Sequence, residues 1–321
     1  MHDSAPRNST SGAEGLRSDL AYAQAAGTDF PRRIAVVMVV SPGESQIALD
    51  SLLRAAALAP ANTEFFLADN TGDPAALVSL ATQSVRPLTI LQLPGAPRPY
   101  FEIGRTVFGV LSQVAPFAPD IVIKIDPDTV VLSPLFFLDL MKLARDADLV
   151  AAHAAPRGLG NNFRRLFRLL LDVLPVGLAR TGATHRYGSF GRLRVGAAWH
   201  WRGTLGALVR LRVPQAQPSG GGYALSGRML TRLAAKGWFT AKGNNGLEWN
   251  DDILLPLAVR ALGGTVLDLR RTAMAEGWRW MHGSRYFEAE DLRQPGLRAV
   301  HPLKNSSQDV AIRQSLADPR D

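Results

Sequence analysis

Seven consecutive apolar residues, Ile34-Ala-Val-Val-Met-Val-Val40, run straight into Ser41-Pro-Gly. The run is too short to span a bilayer and lacks the polar alternation of a strand with one wet face. It therefore fits a strand covered on both faces, as strands of parallel sheets are. Parallel strands need crossover connections, and the following residues supply them. The pattern predicts a helix over Ser45 to Leu58, a strand over Glu64 to Ala68, a short helix over Pro74 to Thr82 and a strand over Leu88 to Leu93. A helix from about Phe101 to Val114 then leads into the apolar strand Ile121-Val-Ile-Lys-Ile125, and a second apolar segment covers Thr129 to Leu132. This is a Rossmann-like α/β half, and such sheets hold ligands at the carboxyl ends of their strands.

The chain has 321 residues, enough for one large α/β domain with an insertion. Residues 1–30 are small and polar without periodicity and read as a loose leader; the domain proper is expected over 31–304, with a tail over 305–321. Between 156 and 218 the composition shifts to Arg, Gly and Trp, which reads as an insertion. Order returns at Ser219-Gly-Gly-Gly-Tyr-Ala-Leu-Ser226, followed by helices to about Lys236 and over Asp251 to Leu262, and by a strand over Thr265 to Leu269. A strand is also expected at 148–152.

Cysteine is absent, which removes disulfides, thiolate metal sites and Cys nucleophiles together. No signal peptide or spanning run is evident, so a cytoplasmic location is expected, at most peripheral at the inner face of a membrane. The net charge of +8 favours an anionic partner. In the insertion, Phe163-Arg-Arg-Leu-Phe-Arg-Leu-Leu-Leu-Asp-Val-Leu174 suits either an ordinary domain helix or one lying in a membrane interface, its arginines toward lipid phosphates. No nucleic-acid-binding signature accompanies the charge, so no nucleic acid partner is expected.

Two strand ends carry the chemistry. Lys124-Ile-Asp-Pro-Asp-Thr129 delivers Asp126 and Asp128 from a buried strand to the sheet edge. Paired carboxylates suit a hard divalent cation, whose remaining positions can take diphosphate oxygens. Phe65-Phe-Leu-Ala-Asp-Asn-Thr-Gly-Asp73 places Asp69 where a carboxylate can accept from base or ribose hydroxyls, with Asn70 in the turn and Asp73 as a helix cap.

The order of these segments, continued by Gly-Gly-Gly-Tyr-Ala-Leu-Ser, Asn-Asp-Asp-Ile and the late Ala299-Val-His-Pro-Leu-Lys-Asn305, resembles a GT-A-fold glycosyltransferase. Within that fold it is most similar to the Fringe and β-1,3-galactosyltransferase-like group. The likeness covers residues 33 to about 304, without the insertion. It implies transfer of a hexosyl group from a nucleotide diphosphate sugar, UDP-linked by expectation, to a glycan or lipid-linked hydroxyl, with inversion. It implies Asp126, Asp128 and His301 as ligands to Mn²⁺ or Mg²⁺, and Asp252 or Asp251 as the base that deprotonates the acceptor. It places Gly220, Gly221 and Gly222 beside the donor, where a missing Cβ permits close approach. Lys304, Arg105 and Lys124 join Asp69, Asn70 and Asp126 in the donor-binding set. His153 is a weaker pocket candidate, and Trp278, Trp280, Tyr286 and Phe287 are either core or a stacking surface for an acceptor sugar.

Other readings stay open at this point. Asp-Thr-Val-Val-Leu-Ser-Pro-Leu and His-Pro-Leu-Lys also resemble retaining GT-A enzymes. A nucleotidyltransferase would need a Gly-rich phosphate loop after the first strand, where Ser41-Pro-Gly-Glu-Ser-Gln stands instead. A non-catalytic polyanion- or membrane-binding protein on the same fold would bind surfaces without turning over a donor.

Overall fold

The computed structural model describes residues 33–73, 86–93, 103–151, 221–239, 251–269, 272–280 and 292–316 (apart from 295 and 305). It also describes the short pieces 154–155, 184–186, 191–194, 217–218 and 247–249, and a few single positions. The leader expected over 1–30, most of the 156–218 segment with its helix at 163–174, and His153, Gly220, Tyr286 and Phe287 lie outside the described residues.

The strands in chain order are β1 (Ile34–Val40), β2 (Thr63–Asp69), β3 (Leu88–Gln92), β4 (Ile121–Ile125), β5 (Val130–Val131), β6 (Leu149–Ala151), β7 (Ala154–Ala155), β8 (Thr184–Arg186), β9 (Gly191–Arg194), β10 (Gln217–Pro218), β11 (Gly222–Ser226), β12 (Leu247–Trp249), β13 (Val266–Asp268), β14 (Trp278–Trp280) and β15 (Ala299–His301). The α-helices are α1 (Ser45–Leu58), α2 (Ile103–Val114), α3 (Leu135–Asp146), α4 (Gly227–Ala235), α5 (Asp251–Ala261) and α6 (Ser307–Leu316).

A seven-stranded sheet in the order β13-β6-β11-β4-β1-β2-β3 forms the centre. Only β11 runs antiparallel to its neighbours, so the sheet is mixed and mostly parallel, as the apolar runs imply. All seven residues of β1 and all five of β4 are buried. The side-chain period of two divides them between two cores. Ile34, Val36, Met38 and Val40 pack with α1 and α3, through Leu52, Phe136 and Phe137 among others. Ala35, Val37 and Val39 pack on the opposite face with α2, α4 and α5, through Phe108, Leu111, Leu230 and Leu255. Helices on both faces make this a doubly wound α/β layer.

From β1 the chain moves outward through β2 and β3, then returns through α2 to β4 on the other side of β1. The strand order therefore reverses between β1 and β4, and the crevice outside their carboxyl ends is where an open α/β sheet takes a ligand.

A second sheet, β14-β15-β5, sits beside this crevice. β5 leaves the Asp126–Asp128 turn, and β15 runs antiparallel to it, with Ala299 opposite Val131 and Val300 opposite Val130. The carboxyl end of β15, His301, is thereby returned to the start of β5. Val130, Leu132, Val300, Leu303, Ile312 and Leu316 close a third small core beneath.

Several elements differ from the sequence reading. The stretch from 305 onward, expected as a tail, carries α6, which buries Asp309, Ile312, Arg313 and Leu316. Its apolar signal is thin because two of the four buried residues are charged. Just before the acids that open α5, Leu247–Trp249 form β12, with Glu248 opposite Arg192 of β9. Where the 156–218 segment leaves and rejoins the sheet, β7 and β10 pair antiparallel, bringing its ends side by side. Among the described residues no helix is long and apolar enough to cross a membrane.

Candidate metal and substrate site

The Asp-Pro-Asp turn begins where β4 runs out of partners. The Thr129 amide donates to the Asp126 carbonyl at 3.0 Å, closing the turn, and the Leu303 amide donates to the Asp128 carbonyl at 2.9 Å, joining it to the segment after β15. One ligand atom each from Asp126, Asp128 and His301 lie within 4.8 Å of one another. His301 Nε2 stands 3.2 Å from Asp128 Oδ1, and Lys304 Nζ stands 3.7 Å from Asp128 Oδ2. Two carboxylates and an imidazole within this span fit a hard or borderline divalent cation. The site is not sealed: 23% of the Asp126 side chain and 13% of the His301 side chain are exposed.

Asp126 is held from two further directions. Gly221 N donates to its Oδ2 at 2.6 Å, and the Asp126 amide returns a bond to the Gly221 carbonyl at 3.2 Å. That carbonyl also accepts from buried Thr129 Oγ1 at 2.6 Å. Gly221 has φ +79°, a conformation open to glycine at little cost, so this exchange with Asp126 depends on the residue type. Gly222 has a different reason. A Cβ there would meet the Lys124 carbonyl at 2.8 Å, so its missing side chain clears the neighbouring strand rather than a ligand.

On the other side, Asp126 Oδ1 forms a short ion pair with Lys124 Nζ, and the same ammonium reaches Asp251 Oδ2 at 3.1 Å. Lys124 was expected among the donor-binding groups. It is instead 3% exposed, on the β4 face shared with Val122, and its ammonium lies 5.5 Å from the centroid of the cross-strand Tyr223 ring. Burial disfavours its charge, but Asp126 and then Asp251 outweigh that penalty, so its pKa stands well above the ordinary lysine value. Burial likewise works to raise the Asp126 carboxyl, yet Lys124, His301 and the Gly221 amide hold it below the usual carboxylate range. Tyr223 is pushed well up by burial and by Asp251.

The two candidate bases are thus distinguished. Asp251, 2% exposed, is bound to Lys124 and ties the start of α5 to β4. Asp252 is the next residue of the same first turn and is only partly buried.

Asp69, expected on the nucleotide side, sits at the same edge. Asp69 pairs with Val40, two strands from β4 across β1, so it stands about 10 Å along the edge from the Asp-Pro-Asp turn. Its Oδ1 accepts from Thr71 N at 2.9 Å and Thr71 Oγ1 at 2.8 Å, and Asn70, 1% exposed, donates its backbone N–H to Val40 O at 3.0 Å. Asp73 Oδ1 accepts from Ala75 N at 3.1 Å, the capping role expected of it. Arg105 lies in the first turn of α2, partly buried. Trp278 belongs to the core, its ring 4.8 Å from that of Phe136.

Glu44 was not among the sequence candidates. It follows β1 at the point where the strand order reverses, and its Oε2 accepts from Ser41 N at 3.0 Å. Burial raises its pKa, and the charges of Asp128 and Asp126 add to the rise. Its place directly after the first strand was the available signal.

No family model matches the chain, and no curated protein matches it. Among solved structures it is similar to one described as the apo structure of the WbbM bifunctional glycosyltransferase, at 12% sequence identity and a TM-score of 0.48. The overlap takes in 91% of this chain and 50% of that one, so the chain spans half the length of that neighbour.

Proposed function

We propose that this chain is a metal-dependent glycosyltransferase of GT-A type that moves a hexosyl group from a nucleotide diphosphate sugar, most plainly a UDP-sugar, to a hydroxyl of a glycan or lipid-linked acceptor. The observation that carries the reading is the convergence of Asp126, Asp128 and His301 at the carboxyl edge of the sheet, beside the strand-order reversal. An Asp-Asp-His set one strand from the first βα loop is the arrangement a diphosphate needs, since a divalent cation must be shared between protein and phosphates.

In this account Asp126, Asp128 and His301 hold Mn²⁺ or Mg²⁺, and the cation, when bound, offsets the charge of the departing diphosphate. Asp69 and Asn70 receive the nucleoside, about 10 Å along the edge from the metal ligands, a separation that suits a nucleoside joined to a diphosphate. Lys304, with 67% of its side chain exposed, adds a positive charge beside Asp128 for the phosphates. Asp252 takes the proton of the acceptor hydroxyl as its oxygen forms the new bond to the anomeric carbon and the bond to the diphosphate oxygen breaks. Attack opposite the leaving group inverts the anomeric centre. Asp251 keeps α5 in place through Lys124. Membrane contact, if the acceptor is lipid-linked, falls to the basic segment at 163–174 and is peripheral.

A panel of nucleotide sugars scored for donor hydrolysis with Mn²⁺ and with EDTA tests this reading. One UDP-hexose is expected to turn over with Mn²⁺ and to stop with EDTA. Turnover indifferent to EDTA overturns the metal's role, and retained surface binding with no donor turned over favours the non-catalytic alternative.

A further inference from the structure

The turn that carries two of the three metal-ligand candidates lies outside any strand ladder, and its centre is a proline with no N–H to give. The bonds from Thr129, Leu303 and Gly221 hold its two acids, and side chains hold its centre. The Pro127 carbonyl accepts from Ser51 Oγ of α1 at 2.6 Å and from Arg313 Nη2 of α6 at 3.2 Å. The same guanidinium donates to the Leu303 carbonyl from Nε at 3.0 Å and from Nη2 at 2.7 Å. Its Nη1 donates to Ser51 Oγ at 3.1 Å and to Ile47 O at 3.3 Å.

Pro127 separates Asp126 from Asp128, and Leu303 lies two residues beyond His301. One planar group, 7% exposed, therefore holds both backbone segments that present the Asp-Asp-His set, and braces them against α1. α6 is itself fixed to the second segment: Asp309 Oδ2 accepts from Lys304 N at 3.1 Å and from Ser306 N at 3.3 Å. A guanidinium suits this task because its donors lie in one rigid plane and can span two carbonyls at once.

We propose that Arg313 is a positioning residue for the divalent-cation site, its fork clamping the Pro127 and Leu303 carbonyls and so setting the spacing of Asp126, Asp128 and His301. The proposal rests on the metal reading above. Ligand geometry set to a fraction of an ångström by its supporting groups is what cation affinity requires, and loss of such support costs about 10–100-fold in affinity.

The test is Mn²⁺ binding to the full chain, followed by the loss of the free-Mn²⁺ electron paramagnetic resonance signal, in wild type, Arg313→Met, Arg313→Lys and Asp148→Asn. Asp148 serves as a control away from the site. It accepts from Arg228 Nε at 2.8 Å and Thr265 N at 2.9 Å, so its replacement loosens the far ends of β6 and β13. Arg313→Met is expected to weaken Mn²⁺ binding by about 10–100-fold. Arg313→Lys, which keeps the charge but not the fork, is expected to fall between Met and wild type. Asp148→Asn is expected to lower the melting temperature and leave Mn²⁺ affinity unchanged.

If Arg313→Met does not fold, Arg313→Lys decides. Wild-type affinity in a folded Arg313→Lys overturns the clamp and leaves the metal reading standing. Equal weakening by Asp148→Asn also overturns it, because the effect is then general loosening. A wild-type chain that binds no Mn²⁺ overturns the metal reading, and the clamp with it.

Discussion

Replacing Lys124 by methionine is expected to lower the stability of the fold by about 3–5 kcal/mol, the cost of leaving a buried charge uncompensated. The size follows from what the ammonium separates. Asp126 and Asp251 both contact it, its side chain is 4% exposed and that of Asp251 is 3% exposed. Methionine fills the volume but leaves two carboxylates facing one another without a counter-charge. One of them must then take up a proton or turn outward, and either response disturbs the Asp-Pro-Asp turn or the start of α5. Urea denaturation of wild type, Lys124→Met, Asp251→Asn and the double variant checks this. Because the residues touch, the double variant is expected to lose less than the sum of the two single losses. A Lys124→Met chain within about 1 kcal/mol of wild type, well below the cost of breaking a buried pair, would contradict the account.

The second large effect is on turnover. Asp252→Asn is expected to lower kcat by about 10²–10⁴-fold, the usual contribution of a positioned base, while the donor KM stays near wild type. Asp251→Asn is expected to act differently. It removes one of the two carboxylates around Lys124, so its main effect is on stability. Kinetics of both variants with the donor found in the panel, alongside their denaturation midpoints, separate the roles. Full turnover in Asp252→Asn, with turnover lost and stability kept in Asp251→Asn, would exchange the two assignments.

Lys124 also illustrates how far the residues could be read unaided. β1 and β4 were legible because continuous apolar runs admit few alternatives, and Asp126 and Asp128, which follow β4, could be placed at the sheet edge from strand direction alone. A lone lysine within Ile-Val-Ile-Lys-Ile carried the same signal, since the period of two puts it on the buried face with Val122. Its partners could not be foreseen, because Asp251 lies far along the chain and only the α5 packing brings it near. His301 was reached through resemblance. Its approach to Asp128 depends on antiparallel pairing of β5 with β15, strands of two and three residues, too short to show periodicity. Arg313 and α6 were missed for a related reason. A helix that buries an arginine and an aspartate against backbone carbonyls and amides looks, in sequence, like a solvated tail. Glu44 gives little signal in sequence, because a lone acid three residues after Ser41 looks like ordinary turn chemistry.

The site thus combines parts with different origins. The sheet edge and its acids follow from strand order, while the spacing of the ligands depends on side chains from α1 and α6 and on the Gly221 backbone just before β11. Changes at the first kind of position should remove function outright, and changes at the second should detune it.

The most direct test of the central claim is calorimetric titration of UDP into the wild-type chain and into Asp128→Ala, each with Mn²⁺ and with EDTA. UDP is expected to bind the wild type only when Mn²⁺ is present, and binding is expected to be lost in Asp128→Ala under both conditions. UDP binding that is equally tight in EDTA, or unchanged by Asp128→Ala, would show that the Asp126, Asp128 and His301 site does not hold the diphosphate.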